Sequence, residues 1–218
     1  MKKILSIVIF LISGYVSSQS FQQVDRFNHP GILYGDNGYY FKDIQGYFDQ
    51  FTGNGIWQYS SGNLTMQLKF TKKTYVNSGI GSSFKTDILI GGIRIVKNGV
   101  EVVNTLNTIN LNENSYVDYF MYNGPRYKNT PDCMSCTTPD QRLYMFYNEP
   151  NNDNPNLAHM FFIMHVYKNA QQIPTLRVVF TQEALSGDPT EYDTEFNHIP
   201  TKTQVYLPFG TFDFQKVN

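Results

Sequence analysis

From Ile56 to Phe70 the chain alternates. Leu64, Met66, Leu68 and Phe70 are interleaved with Thr65, Gln67 and Lys69, and Ser61-Gly62-Asn63 separates this run from a preceding one that opens at Gly55-Ile56-Trp57. Such period-two patterning predicts a hairpin with one apolar and one wet face. Lys85 to Lys97 is richer in Ile and Val, with Ile88 and Ile90 on one side, and is interrupted by Gly91-Gly92, a pair expected to mark a bulge or a close approach of backbones. Asn98-Gly99 then divides it from Val100 to Leu106, the strongest short hairpin signal in the chain. Further strands are predicted in Ile109 to Tyr122, Leu143 to Tyr147, His159 to Lys168, Thr175 to Gln182, Gln204 to Tyr206 and Thr211 to Phe214. One stretch has a different period: Phe41, Ile44, Phe48 and Phe51 fall at helical spacing, which predicts a single short amphipathic helix over Tyr40 to Phe51, lying across one end of the strands.

Roughly nine or ten strands joined by short turns define an all-β, antiparallel chain, a barrel of about eight to ten strands, with a β-sandwich as the alternative. Residues 19–39, polar, aromatic and broken by His29-Pro30-Gly31 and Gly35-Asp36-Asn37-Gly38, read as an extended lead-in, and residues 40–218 as one barrel domain. Residues 1–18 carry Lys2 and Lys3, an apolar run from Ile4 to Ile12 and small residues at Val16, Ser17 and Ser18, the plan of a cleaved secretory signal. The run is too short for a spanning helix, so the expected location is periplasmic or extracellular, without stable membrane insertion.

Charge narrows the partners. The chain of 218 residues has a formal net charge of −1, and losing the signal removes two lysines and no acid. With no grouped Lys or Arg, nucleic acid and anionic membrane surfaces are excluded as expected partners.

The helix followed by Gly55-x-Trp57 and a meander of hairpins resembles the opening of the lipocalin (calycin) fold. In that family the tryptophan closes one end of an eight-stranded barrel beside an arginine from a late strand, and the resemblance implies this role for Arg177 in Leu176-Arg177-Val178. Val117-Asp118-Tyr119 is one residue short of that family's second motif. The chain is also similar to a family of small secreted flavobacterial proteins of unknown function. The shared text is the signal, Tyr40-Phe41-Lys42-Asp43, the Phe51-x-Gly53 to Trp57 step, the Leu64 to Lys69 strand and Asn98-Gly99-Val100-Glu101. This second likeness implies export and a β-rich domain, and no activity.

Candidate chemistry is sparse. Cys133 and Cys136, spaced C-x2-C in a loop rich in Pro, Asn and Asp, are read as a small disulfide in an oxidising compartment; a βαβ context for redox work is missing. His29, His159, His165 and His198 are not spaced as a second ligand pair for zinc, and no Gly-x-Ser-x-Gly occurs. Glu183, Asp188, Glu191, Asp193 and Glu195 read as a solvated acidic loop rather than a glycosidase pair, and Asn151 to Asn156 as a hairpin loop rather than a calcium site. No catalytic, cofactor or metal residue is nominated.

The aromatics remain: 16 Tyr, 17 Phe and one Trp. Tyr40, Tyr47, Tyr119 and Tyr144 are the candidates to line a ligand pocket. The expected function is a secreted non-enzymatic barrel that holds a small apolar or amphipathic ligand. The alternative is a structural or interaction protein that meets a glycan or protein partner through an aromatic sheet face.

Overall fold

A computed structural model of the chain describes residues 20–28, 30–33, 35–77, 83–109, 121–122, 142–150, 160–182 and 207–217. Its strands are β1 (Gln22–Asp25), β2 (Tyr39–Lys42), β3 (Ile56–Ser61), β4 (Leu64–Asn77), β5 (Lys85–Lys97), β6 (Val100–Asn104), β7 (Met121–Tyr122), β8 (Leu143–Tyr147), β9 (Met160–Lys168), β10 (Pro174–Gln182) and β11 (Gly210–Val217). Eight of them close a ring in the order β3-β4-β5-β7-β8-β9-β10-β11, and every neighbouring pair is antiparallel. The protein is therefore a barrel and not a sandwich, and closure removes the sheet edges of the ring. Three strands lie off the ring: β6 is a hairpin arm on β5, and β1 and β2 add in parallel to the first residues of β5. The lead-in thus supplies a strand of the sheet.

The alternation in the sequence becomes the inside and outside of the ring. Trp57, Leu68 and Ile93 are register partners across β3, β4 and β5, and all are buried. One position along, Gln58, Gln67 and Arg94 are partners on the outer face. The inward set continues with Met121, Met145, Tyr147, Met160, Phe162, Met164, Leu176, Val178, Phe180, Phe212 and Phe214, and together they form one core cluster. A ring of eight strands is about the size that such side chains fill.

β5 departs from alternation because it is covered on both faces. Leu89, Ile93 and Ile95 point inward, whereas Ile88 and Ile90 pack outside with Val76, Ile109 and Tyr122. The strand runs unbroken through Gly91-Gly92, and its register shift against β4 lies instead between Lys73 and Val76, beside Tyr75 with φ 57°. The glycines serve close approach. A Cβ on Gly91 would sit 2.9 Å from the Phe70 ring, and one on Gly92 would strike the Thr105 carbonyl oxygen and lie 2.9 Å from the Leu106 Cα. At that point the chain leaving β6 crosses over β5, with the Thr105 amide donating to the Ile93 carbonyl at 2.7 Å. Gly92→Ala should therefore cost about 2–3 kcal/mol, measured by urea unfolding, while at Gly62 in the β3–β4 turn an added Cβ meets nothing within 4 Å and alanine costs only the strain of the left-handed φ of 56°, about 1 kcal/mol.

The predicted helix is not formed. Tyr40 and Phe41 belong to β2, Ile44 is 57% exposed, and only Tyr47–Gln50 coils, as a single 3-10 turn. The reason is local: Gly46 adopts a left-handed φ of 68°, and Asp43 turns its carboxylate back to accept the amides of Tyr47 and Phe48 at 2.7 and 2.9 Å. The turn still carries Tyr47, Phe48 and Phe51 into the barrel core, so it closes one end as a plug. The Asn98-Gly99 hairpin forms as expected, with both residues at positive φ (54° and 77°) as a type I′ turn requires.

Candidate functional site

Among the described residues, the side-chain hydrogen bonds are densest at the closed end of the barrel. Trp57 is 1% exposed, and its indole Nε1 donates to the Phe51 carbonyl oxygen at 2.8 Å, tying the first barrel strand to the plug. Lys216 of β11 lies above the indole, with Nζ 5.3 Å from the ring centroid and 2.6 Å from the Thr52 carbonyl oxygen. Gly55 is small because that lysine stem and the last turn of β11 pass over it: an added Cβ would lie 2.9 Å from both the Lys216 Cγ and the Val217 carbonyl oxygen.

Two buried carboxylates hold the plug. Asp43, besides capping the turn, accepts Lys72 Nζ at 2.9 Å. Asp87 reaches from β5 to accept the Tyr40 hydroxyl at 2.5 Å, the Asp43 amide at 3.0 Å and the Tyr75 amide at 3.2 Å. Arg26 completes the joint, donating to the Thr86 hydroxyl and the Asp87 carbonyl and lying 5.6 Å from the Phe48 ring centroid. Burial pushes the hydroxyls of Tyr40 and Tyr47 well above the ordinary tyrosine range, and the Asp87 hydrogen bond adds to this at Tyr40. For Lys72, burial acts to lower the ammonium, but the hydrogen bond and charge of Asp43, with Asp49 and Asp87 beyond, outweigh it and raise the value. These groups satisfy one another, so the joint fastens the plug rather than presenting chemistry.

The outer surface is organised differently. On β10 and β11, Arg177 forms a two-pronged pair with Asp213 at 2.8 Å on each arm and lies 5.0 Å from the Tyr167 ring centroid. Its hydrogen bonds to Asp213 raise the guanidinium's value and hold the Asp213 carboxyl below its usual range. His165 lies beside Tyr167, ring centroids 5.6 Å apart. On β8 and β9, Tyr144, Phe161 and Ile163 make a second, outward-facing apolar cluster that is itself buried.

The residues singled out from the sequence fall in separate places. Trp57 and Gly55 stand together at the closed end. Arg177 does not take the place beside the indole that the lipocalin resemblance implies: it faces outward, and the cation over Trp57 is Lys216. The reason is strand parity, since Arg177 is flanked by the inward-facing Leu176 and Val178. Of the tyrosines, Tyr40 binds Asp87 beside the plug, Tyr47 sits inside the core, and Tyr144 lies on the outer face of β8, so these three do not line one pocket. Tyr119, Cys133, Cys136, Val117-Asp118-Tyr119, His29, His159, His198, the acidic run from Glu183 to Glu195 and Asn151 to Asn156 lie outside the described residues. Among the described residues, no group of three or more His, Cys, Asp and Glu side chains is placed to hold a metal ion.

Sequence reasoning missed Asp43, Asp87, Arg26, Lys72 and Lys216. One signal was present: Asp87 is a lone acid in the run Thr86 to Ile90, where a charged group must find partners or stay ionised at a cost.

The fold and its closed end define an up-and-down, all-β barrel sealed by a short aromatic plug. Residues 1–205 match the model of a family of unknown function, DUF6705, and the chain belongs to that family. No curated protein and no solved structure matches it.

Proposed function

We propose that this is an exported, non-enzymatic β-barrel that works as an interaction module through its outer surface. One observation carries the reading: the inward side chains of the ring and the plug, from Trp57 and Phe70 to Tyr147, Phe162, Phe180 and Phe214, are large, buried and in a single cluster. A barrel so filled uses its interior for stability, and recognition is left to the surface. Export rests on the signal plan of residues 1–18.

A second reading, a carrier of a small apolar or amphipathic ligand, is favoured by the composition of one wall. Five of the chain's seven methionines face inward, four of them on β7, β8 and β9 (Met121, Met145, Met160 and Met164). Methionine repacks more readily than branched residues, so this wall could yield to an acyl chain. One experiment separates the two. Protein purified from its natural secretion route is extracted with organic solvent for mass spectrometry, and titrated with a fluorescent fatty acid while Trp57 emission is followed. The surface reading expects no stoichiometric lipid and unchanged emission; a bound amphiphile at one per chain overturns it in favour of the carrier.

A further inference from the structure

A single register row crosses seven strands on the outside of the barrel. Tyr167 pairs with Thr175, Thr175 with Gln215, Gln215 with Gln58, Gln58 with Gln67, Gln67 with Arg94, and Arg94 with Asn104. At roughly 4.8 Å between strands, the row runs on the order of 25–30 Å around the surface. Thr175 is buried, its hydroxyl donating to the Ile173 carbonyl at 3.2 Å, so the accessible part of the row runs from Gln215 to Asn104, and from Gln58 onward its side chains are planar, polar and bonded to one another. Gln67 Nε2 donates to Gln58 Oε1 at 2.8 Å, Arg94 Nη1 donates to Gln67 Oε1 at 3.1 Å, Arg94 Nε donates to Glu101 at 2.6 Å, and Asn104 donates to the other Glu101 oxygen at 3.1 Å.

We propose that this row is a binding site for a neutral polysaccharide. The proposal rests on the outer-surface reading and specifies its partner. Three properties point to this class. The row's own charges are paired, Arg94 with Glu101 and, one position away, Arg177 with Asp213, so the row itself offers no unpaired charge to select an anionic or cationic polymer. A primary amide offers two donors and two acceptor lone pairs, and the bonds between Gln58, Gln67 and Arg94 use only part of that capacity, leaving paired donors and acceptors for adjacent hydroxyls. The mutual bonds also fix the side chains before a ligand arrives, which lowers the ordering cost of binding. The extended row suits an extended chain.

The test is affinity electrophoresis of the full mature protein through gels containing a soluble β-glucan, a xylan, a mannan or anionic alginate. The expected result is retardation by at least one neutral polymer and none by alginate. The double variant Gln58→Ala/Gln67→Ala should lose at least tenfold in affinity with an unchanged unfolding midpoint. Arg94→Lys keeps the charge but loses the planar fork, so it should weaken binding to a neutral polymer several-fold, whereas a purely electrostatic partner would tolerate it. Retardation that survives in both variants overturns the row while leaving a surface-binding protein. No retardation by any neutral polymer overturns the polysaccharide assignment, and the outer-surface reading itself falls only if solvent extraction also yields one lipid per chain.

Discussion

Replacing Trp57 with alanine should remove about 3–5 kcal/mol of stability, the range for deleting a fully buried large aromatic side chain. The position is 1% exposed and has no open side into which the core could relax: Leu68 and Lys216 are its register partners, and Phe51 lies behind its Nε1. The change also strands the Phe51 carbonyl, which accepts the indole proton at 2.8 Å, and removes the ring beneath Lys216. Since single domains retain only about 5–15 kcal/mol in total, the variant should lie close to unfolding at physiological temperature. Trp57→Phe isolates part of this. It keeps an aromatic ring and loses the hydrogen bond, for about 1–3 kcal/mol from the unsatisfied carbonyl and the lost volume. Chemical unfolding of the three proteins side by side checks the ordering. An alanine variant within 1 kcal/mol of the parent would mean that the plug and the barrel are not coupled through the indole.

The parts of the fold legible in the sequence were those written locally. β4 shows its register in the alternation of Leu64, Met66, Leu68 and Phe70, and the β5–β6 turn is written in Asn98-Gly99, because each of these signals acts over a few residues. The helical spacing of Phe41, Ile44, Phe48 and Phe51 misled for a physical reason. Phe41 is buried in a strand, Phe48 and Phe51 in a turn, and Ile44 is exposed, so residues from two elements imitated one helical face. What decides the matter is the positive φ at Gly46 and the capping role of Asp43, neither of which periodicity measures. The site was harder still. That Lys216 rather than Arg177 covers the indole depends on the β3–β11 register, a pairing of residues at opposite ends of the chain. The parallel docking of β1 and β2 on β5, and with it the partners of Asp87, is set by tertiary closure alone.

Asp43→Ala should detach the plug, at a cost of about 3 kcal/mol. Its side chain is completely buried and answers three donors at once, the amides of Tyr47 and Phe48 and the ammonium of Lys72, so truncation leaves two amides without their acceptor and Lys72 with only the exposed Asp49 at 3.5 Å. The figure sits at the low end of the range for buried pairs because Lys72 keeps 22% side-chain exposure and can rehydrate in part. Asp43→Asn, which retains an acceptor for the turn but not the charge, should fall between. The same joint makes the protein sensitive to alkali. Tyr40 and Tyr47 hold their protons in the folded state above the ordinary value of 10.0, so above that value the unfolded chain ionises first and gains ground as pH rises toward the folded values. Lys72 likewise keeps its proton above 10.5 when folded, so its share of stability is complete below that value and is lost as pH climbs through the raised one. All three act in one direction. The thermal midpoint should hold steady up to about pH 9 and fall steeply beyond about pH 10. In Asp43→Ala the Lys72 part of this dependence should shrink, leaving only the weaker pull of Asp49 and Asp87, while the tyrosine part remains, flattening the alkaline slope; an unchanged slope would show that the Asp43–Lys72 pair does not fasten the plug.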